Sequence, residues 1–286
     1  MKIAFVTDSG IGKTAQQMAA DNIISLPLQI SEGGGNLQDM EEIDKDQLIA
    51  LLHQQKDLAT SLPSLGRIQE CFEKLKAEGT ELIFAVPICS GLSGTISAMQ
   101  SMAQQLDLPI ITIDTCVTAV VQEYLIRTAK QMAENGASVE QIQAACDQVI
   151  ASTNTLILPS DMQHLKRGGR LTPLAATLAG LLKIKPILQI NRATHGRIDV
   201  KEKVRTYTRA LERAVQIMKE DPIDEHYSIT VAHVDAPQTA QQLAAIIHRT
   251  FPNAQVQVIK LVNVVAVHTG LNTQAIQYFR KLDPAA

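Results

Sequence analysis

A two-unit α/β fold is what this sequence predicts, and three observations point to it. Short apolar runs rich in β-formers alternate with helical stretches through the first half, the pattern of a parallel sheet covered on both faces. The second half breaks that rhythm. There, two strand-like runs flank a turn at Thr194, His195 and Gly196 and read as an antiparallel hairpin. The length, 286 residues with 45% hydrophobic, suits two cores better than one. We place the boundary near residue 153: an N-terminal α/β unit over 1–153, and a C-terminal α/β unit with a mixed or antiparallel sheet over 154–286.

Taken in order, residues 2–8 read as a strand, followed by a glycine turn, a helix over 14–20 and a strand over 22–30. Asp44 is placed to cap a helix that runs through Leu51 and Leu52, because its carboxylate accepts from first-turn amides. Thr60, Ser61, Leu62 and Pro63 form a loop, after which Ser64 caps a helix. Its Leu65, Ile68, Cys71, Phe72 and Leu75 share one face, and Gly79 ends it. A buried strand over 81–89, a turn over 90–94, a helix over 95–106, a strand over 109–114 and a helix over 117–135 follow. After the helix 139–151 come a strand over 154–160, a basic glycine-containing loop over 165–170, and a helix over 173–182 that is apolar almost all round. The hairpin takes 184–191 and 197–203, then helix, strand, helix and strand fall at 206–218, 227–233, 239–248 and 255–262.

Composition excludes several classes. Aromatics are 3% and Trp is absent, so the core is aliphatic and no base-stacking surface for nucleic acid is expected. No run approaches the ~18–20 apolar residues of a membrane span. Residues 1–8 are too short and polar for a signal peptide's apolar region. Cys71, Cys89, Cys116 and Cys146 sit singly in apolar runs and read as reduced core thiols, which sets the expected location as the cytoplasm. The seven histidines are isolated, so no metal site is expected. The net charge of −3 conceals an asymmetry: residues 161–213 hold twelve Lys and Arg against four Asp and Glu, a local +8 that leaves −11 elsewhere. A basic face on an acidic chain suits docking to a partner protein, a nucleotide on that partner, or a membrane surface.

Two motifs imitate known chemistry. Gly10, Gly12 and Ala15 fit a dinucleotide fingerprint after a strand, although Asp8 and Ser9 would set a carboxylate against the pyrophosphate. The stretch Gly91, Leu92, Ser93, Gly94, Thr95 resembles a nucleophile elbow with Thr95 where glycine is wanted, which keeps a serine hydrolase using Ser93 as an alternative. Three hydroxyl-rich loops remain, at residues 7–9, 60–64 and 90–95. In a parallel sheet such loops gather at the carboxyl edge, where ligands bind, and the latter two run into helix N-termini that favour an anion. Spacing alone leaves them as an anion site or as plain helix caps.

These same residues carry a resemblance. Thr7-Asp8-Ser9, Thr60-Ser61-Leu62-Pro63-Ser64, Ser90-Gly91-Leu92-Ser93-Gly94-Thr95 and Leu165-Lys166-Arg167-Gly168-Gly169-Arg170 resemble the motifs of the DegV family, the lipid-binding subunits of bacterial fatty-acid kinases. Residues 182–188, Lys203-Val204-Arg205-Thr206 and His268-Thr269-Gly270 continue it in the family's order, nearly end to end. The resemblance implies a long-chain fatty acid, of the palmitate or oleate type, buried between the two units. It places the carboxylate at Thr60 and Ser93, with Ser61 and His268 nearby. It places Arg170 and Arg205 where an ATP-dependent kinase subunit docks, with no catalytic residue and no cofactor in this chain. Two departures stand out: Leu62 replaces a residue that is usually polar, and Leu271-Asn272 replaces a usual Pro-Gly. The expected head-group site is a neutral clamp of hydroxyls, with a separate basic face for the partner.

Overall fold

The computed structural model describes residues 1–180 and 184–283. Strand β1 (Ile3–Asp8) pairs in parallel with β2 (Ile23–Leu26). Pro27 follows β2 and has no amide hydrogen to give a ladder. The strand expected over 22–30 is therefore two. The chain leaves the first sheet and re-forms as β3 (Gln29–Glu32), which pairs antiparallel with β4 (Gly35–Gln38) and β5 (Leu58–Ser61). Thr60 and Ser61, expected in a loop, are the last two residues of β5, with Thr60 opposite Ile30. Asp44 and Ser64 do cap their helices, Lys45–His53 and Leu65–Ala77.

Next, β6 (Leu82–Val86) lies between β1 and β7 (Ile110–Thr112) and completes the parallel sheet in the order β2-β1-β6-β7. Side chains alternate along these strands and sort its faces. Val6, Ile83 and Ala85 pack on the helices Leu65–Ala77 and Thr95–Gln105, whereas Phe5, Phe84 and Val86 pack on Val120–Glu134 and Val139–Ala151.

The remaining strands form one mixed sheet. After β8 (Asn154–Leu158), the basic stretch expected as a loop begins with a short helix, Met162–Arg167, whose first amides bond to the Asp161 carboxylate. The helix expected over 173–182 is Pro173–Thr177 followed by a 3₁₀ turn, Leu178–Gly180; its last two positions lie outside the described residues. The hairpin is present as β9 (Lys185–Ile190) and β10 (Asp199–Val204). Strands β11 (Tyr227–His233) and β12 (Gln255–Lys260) pair in parallel. The helix Asn263–Thr269 and strand β13 (Gln274–Arg280) complete the fold, and the sequence reading did not anticipate either. β13 inserts between β8 and β11, antiparallel to both, giving the order β10-β9-β8-β13-β11-β12.

One face of this sheet packs on the helices Tyr207–Met218 and Pro237–Thr250. Its other face, with Ile157, Leu188, Ile190, Ala232 and Ala275, shares a single core with Leu28, Ile30, Leu48 and Ile88 from the first half of the chain. The two halves also touch backbone to backbone: a Cβ on Gly91 would stand 2.2 Å from the carbonyl of Gly196. Gly196 itself has a φ of 68°, in the left-handed region. Gly91→Ala is therefore expected to destabilise the fold by about 3 kcal/mol. Thermal unfolding should show it as a fall of about 6 °C or more in Tm.

Candidate functional site

A cavity of about 270 Å³ opens between the mixed sheet and the loops, helix start and β5 end that the first half turns toward it, bounded by Leu28, Ile88 and Val120 from the first half and by Ile157, Ile190, Ala232 and Ala275 from the second. No Phe, Tyr or Trp lines it among the described residues. Thr60, Ser61, Ser93 and His268, which the sequence reading singled out, all reach its wall. They arrive from three separate places in the chain. Thr60 and Ser61 end β5, Ser93 precedes the helix Thr95–Gln105, and His268 sits in the last turn of Asn263–Thr269.

His268 is the organising group. Its Nε2 lies 2.7 Å from Thr60 Oγ1. Burial, then the positive charge of Arg170 and then His164, push the imidazole down from 6.5 to about 4, so it is neutral at pH 7. Gly168 lies against this ring, and a Cβ there would come within 2.7 Å of His268 Nδ1. That close approach accounts for the first glycine of the basic motif. The second, Gly169, has a φ of 72°. His164 supports the same helix from below, its Nε2 2.8 Å from the carbonyl of Val267.

Ser93 Oγ pairs with Thr95 Oγ1 at 2.8 Å and accepts from the Thr95 amide at 3.3 Å. It therefore stands beside a helix N-terminus, where free amides favour an anion. No histidine bonds to it among the described residues. His233 Nδ1 instead accepts from the Ala236 amide, and His268 is engaged with Thr60. The hydrolase reading thus has no general base. The dinucleotide reading loses its phosphate seat, because the buried Asp8 carboxylate already accepts from the Gly10 and Ile88 amides and from Gln122. Burial raises Asp8 to about 6. It raises Asp39, which binds Ser9 and Asn263, to about 6 as well.

The basic residues divide. Arg170, expected on the partner-facing surface, is half-buried in the cavity wall, donating from Nη1 to the carbonyl of Gly168 at 2.6 Å and from Nε to that of Leu92 at 3.3 Å. Three of its five N–H groups remain. The expected neutral clamp therefore contains a guanidinium. Arg205 is exposed and away from the cavity lining. Part of the local positive charge is neutralised: Arg213 bonds Glu202, Lys201 lies near Glu220 and Arg192 pairs with Asp147. Lys166, Arg167, Lys203, Arg205 and Arg209 are exposed and without a carboxylate partner among the described residues.

Sequence reasoning missed one further residue. Thr269, fully buried in the cavity wall, has a hydroxyl with no partner among the described residues. It stood in view as the middle of His268-Thr269-Gly270, but nothing in the spacing tells its direction. The two departures also find places. Leu62 lines the cavity, and Asn272 adopts a φ of 61° where a glycine is usual, a conformation asparagine tolerates. No group of acidic, histidine and cysteine side chains among the described residues is arranged to hold a metal, and no helix among them is long and apolar enough to cross a membrane.

A mixed sheet and the facing loops of the first half, enclosing one largely aliphatic chamber with a polar wall, define an α/β protein with a single internal pocket between its halves among the described residues. The chain belongs to the DegV family: a family model described as "Uncharacterised protein, DegV family" matches residues 2–281. It is 29% identical over 280 residues to the DegV domain-containing protein spr1415 of Streptococcus pneumoniae, covering 97% of this chain and 99% of that one. The fatty acid binding DegV family protein SAG1342 from Streptococcus agalactiae matches with a TM-score of 0.88 at 28% identity, covering 99% of this chain and 100% of that one. DegV, a fatty acid binding protein from Bacillus subtilis, shares the fold with a TM-score of 0.85 at 24% identity, covering 98% and 100%.

The low value at His268 has a stability consequence. Below about 6.5 the unfolded chain protonates this histidine while the folded one does not until about 4, so stability is lost as pH falls through that window. Asp8 and Asp39 act in the opposite sense, because their raised values give the folded state the extra protons between 3.8 and about 6. Comparing the wild type with His268→Gln isolates the first effect. The stability difference, measured by urea unfolding, should move by on the order of 3 kcal/mol in favour of the variant between pH 7 and pH 4.

Proposed function

We propose that this chain is a non-catalytic carrier. It buries one long-chain fatty acid, of the palmitate or oleate type, between units 1–153 and 154–286, and it presents the carboxylate to an ATP-dependent fatty-acid kinase in the cytoplasm. The observation that carries the reading is the aliphatic cavity bounded by both halves of the chain, with Thr60, Ser61, Ser93 and His268 on its wall. Fatty acid binding by the Streptococcus agalactiae relative, at 28% identity over nearly the whole chain, supports it.

The chemistry follows from the groups present. Burying methylenes contributes about 0.8 kcal/mol each, on the order of 10 kcal/mol for a sixteen-carbon chain before binding costs. Affinity therefore comes from the chain and orientation from the head group. Neutral His268 donating from Nε2 to Thr60 Oγ1 would leave the Thr60 hydrogen free for the carboxylate. Ser93 and the amides of its helix supply further donors, and Arg170 balances the buried charge. The acid is thus held ionised, as an acyl-phosphate-forming partner requires. Arg205, with Lys166, Arg167, Lys203 and Arg209, would meet that partner, and Arg170 would face it from the cavity wall.

Native mass spectrometry of the purified protein is expected to show the added mass of one fatty acid. A clean apo mass that takes up neither palmitate nor oleate would overturn the carrier reading. Ser93→Ala and Thr60→Val should each weaken palmitate binding about tenfold, the loss of one hydrogen bond to a charged group. With kinase present, Arg205→Ala should leave uptake intact and slow acyl-phosphate formation, while Arg170→Ala weakens both.

A further inference from the structure

The floor of the cavity is not uniformly apolar. In the mixed sheet, Thr155 on β8, Gln277 on β13 and Thr230 on β11 stand directly opposite one another, forming one cross-strand row. All three line the cavity and all three are buried. Two residues along the same strands, the next row is Ile157, Ala275 and Ala232, as an acyl chamber calls for. A polar row in such a floor is costly unless its groups are bonded.

Gln277 is fully engaged. Its Nε2 donates to the Thr118 carbonyl at 2.9 Å and to Thr155 Oγ1 at 3.0 Å, and its Oε1 accepts from the Val121 amide at 3.2 Å. The threonines are not. Thr155 Oγ1 accepts from Gln277 and Thr230 Oγ1 accepts from Gln257 at 2.9 Å, but neither hydroxyl donates to an acceptor among the described residues. Two cavity-lining hydroxyls therefore keep their hydrogens unspent among the described residues. Accepting from Gln277 and Gln257 uses the oxygen of each hydroxyl and leaves its hydrogen for a further partner.

We infer that Thr155 and Thr230 form a second polar subsite within the acyl cavity, and that the preferred ligand is a fatty acid bearing a hydroxyl on its chain. The substituent's oxygen accepts from the hydroxyl of one of the two threonines; β13 lies between them, so a single substituent engages one at a time. A plain methylene there leaves both hydroxyls unbonded. This inference rests on the carrier reading and refines its substrate class.

The test is competitive loading followed by native mass spectrometry, with octadecanoate set against each member of the positional series of monohydroxyoctadecanoates. At least one isomer is expected to outcompete octadecanoate about threefold or more. In Thr155→Val/Thr230→Val the preference for that isomer should fall by about tenfold, because the hydroxyl is then buried unpaired while the plain chain gains an apolar floor. For that isomer one single variant should carry most of the shift and the other little of it, and the pair serves as the readout if the double variant fails to fold. The inference is overturned if every hydroxylated isomer loses to octadecanoate about tenfold, or if the valine variants leave the ratio unchanged. Wild-type protein that takes up neither octadecanoate nor any hydroxylated acid would instead overturn the carrier reading itself.

Discussion

The structure depends on a polar seam between two apolar halves. Gln277, on the strand that closes the mixed sheet, reaches across to the carbonyl of Thr118 and the amide of Val121 at the start of the helix Val120–Glu134. Asp39 does the same from the other direction, holding Ser9 of the first half and Asn263 at the head of the His268 helix. Both bridges are buried, where a lost partner leaves an unsatisfied polar group at a cost of about 1–3 kcal/mol. Apolar surfaces alone would let the halves slide, but directional bonds fix one register. The position of His268 against Thr60, contributed by opposite halves, follows from that register.

Much of this was legible in the sequence, and the limits have physical causes. The parallel strands of the first half are flanked on both sides and read as continuous apolar runs, so their alternation with helices predicted the sheet. β13 escaped because it is central yet carries Gln274 and Gln277 inside, which breaks both the apolar run and the period of two. β3 to β5 escaped because they are four-residue strands of a small side sheet, too short for periodicity to register. The short helix Met162–Arg167 was masked by its basic composition.

The site shows the same division. The family motifs singled out Thr60, Ser61, Ser93 and His268, which all reach the cavity wall, whereas spacing alone left the hydroxyl loops as an anion site or as plain helix caps. Arg170 was expected at the partner-facing surface from the family resemblance, which gives no direction for its side chain. In the structure its guanidinium is half inside, anchored by two backbone carbonyls, and it helps hold His268 neutral. Nor does charge counting show cancellation. Arg192, Lys201 and Arg213 add to the local excess in sequence but meet carboxylates in space.

The scarcity of aromatics, first met as an exclusion, also decides how the cavity behaves when empty. Half of its lining residues are Ile, Val or Thr. Branching at Cβ leaves such side chains few rotamers, and backbone in strands restricts them further. Walls of this kind keep their shape without a guest, whereas Met or Phe would swing inward and fill the void. The chamber is thus rigid before it is loaded, so little ordering entropy is lost when a chain enters. Selectivity is correspondingly set by fixed geometry, and altering it takes a change of residue rather than a change of rotamer.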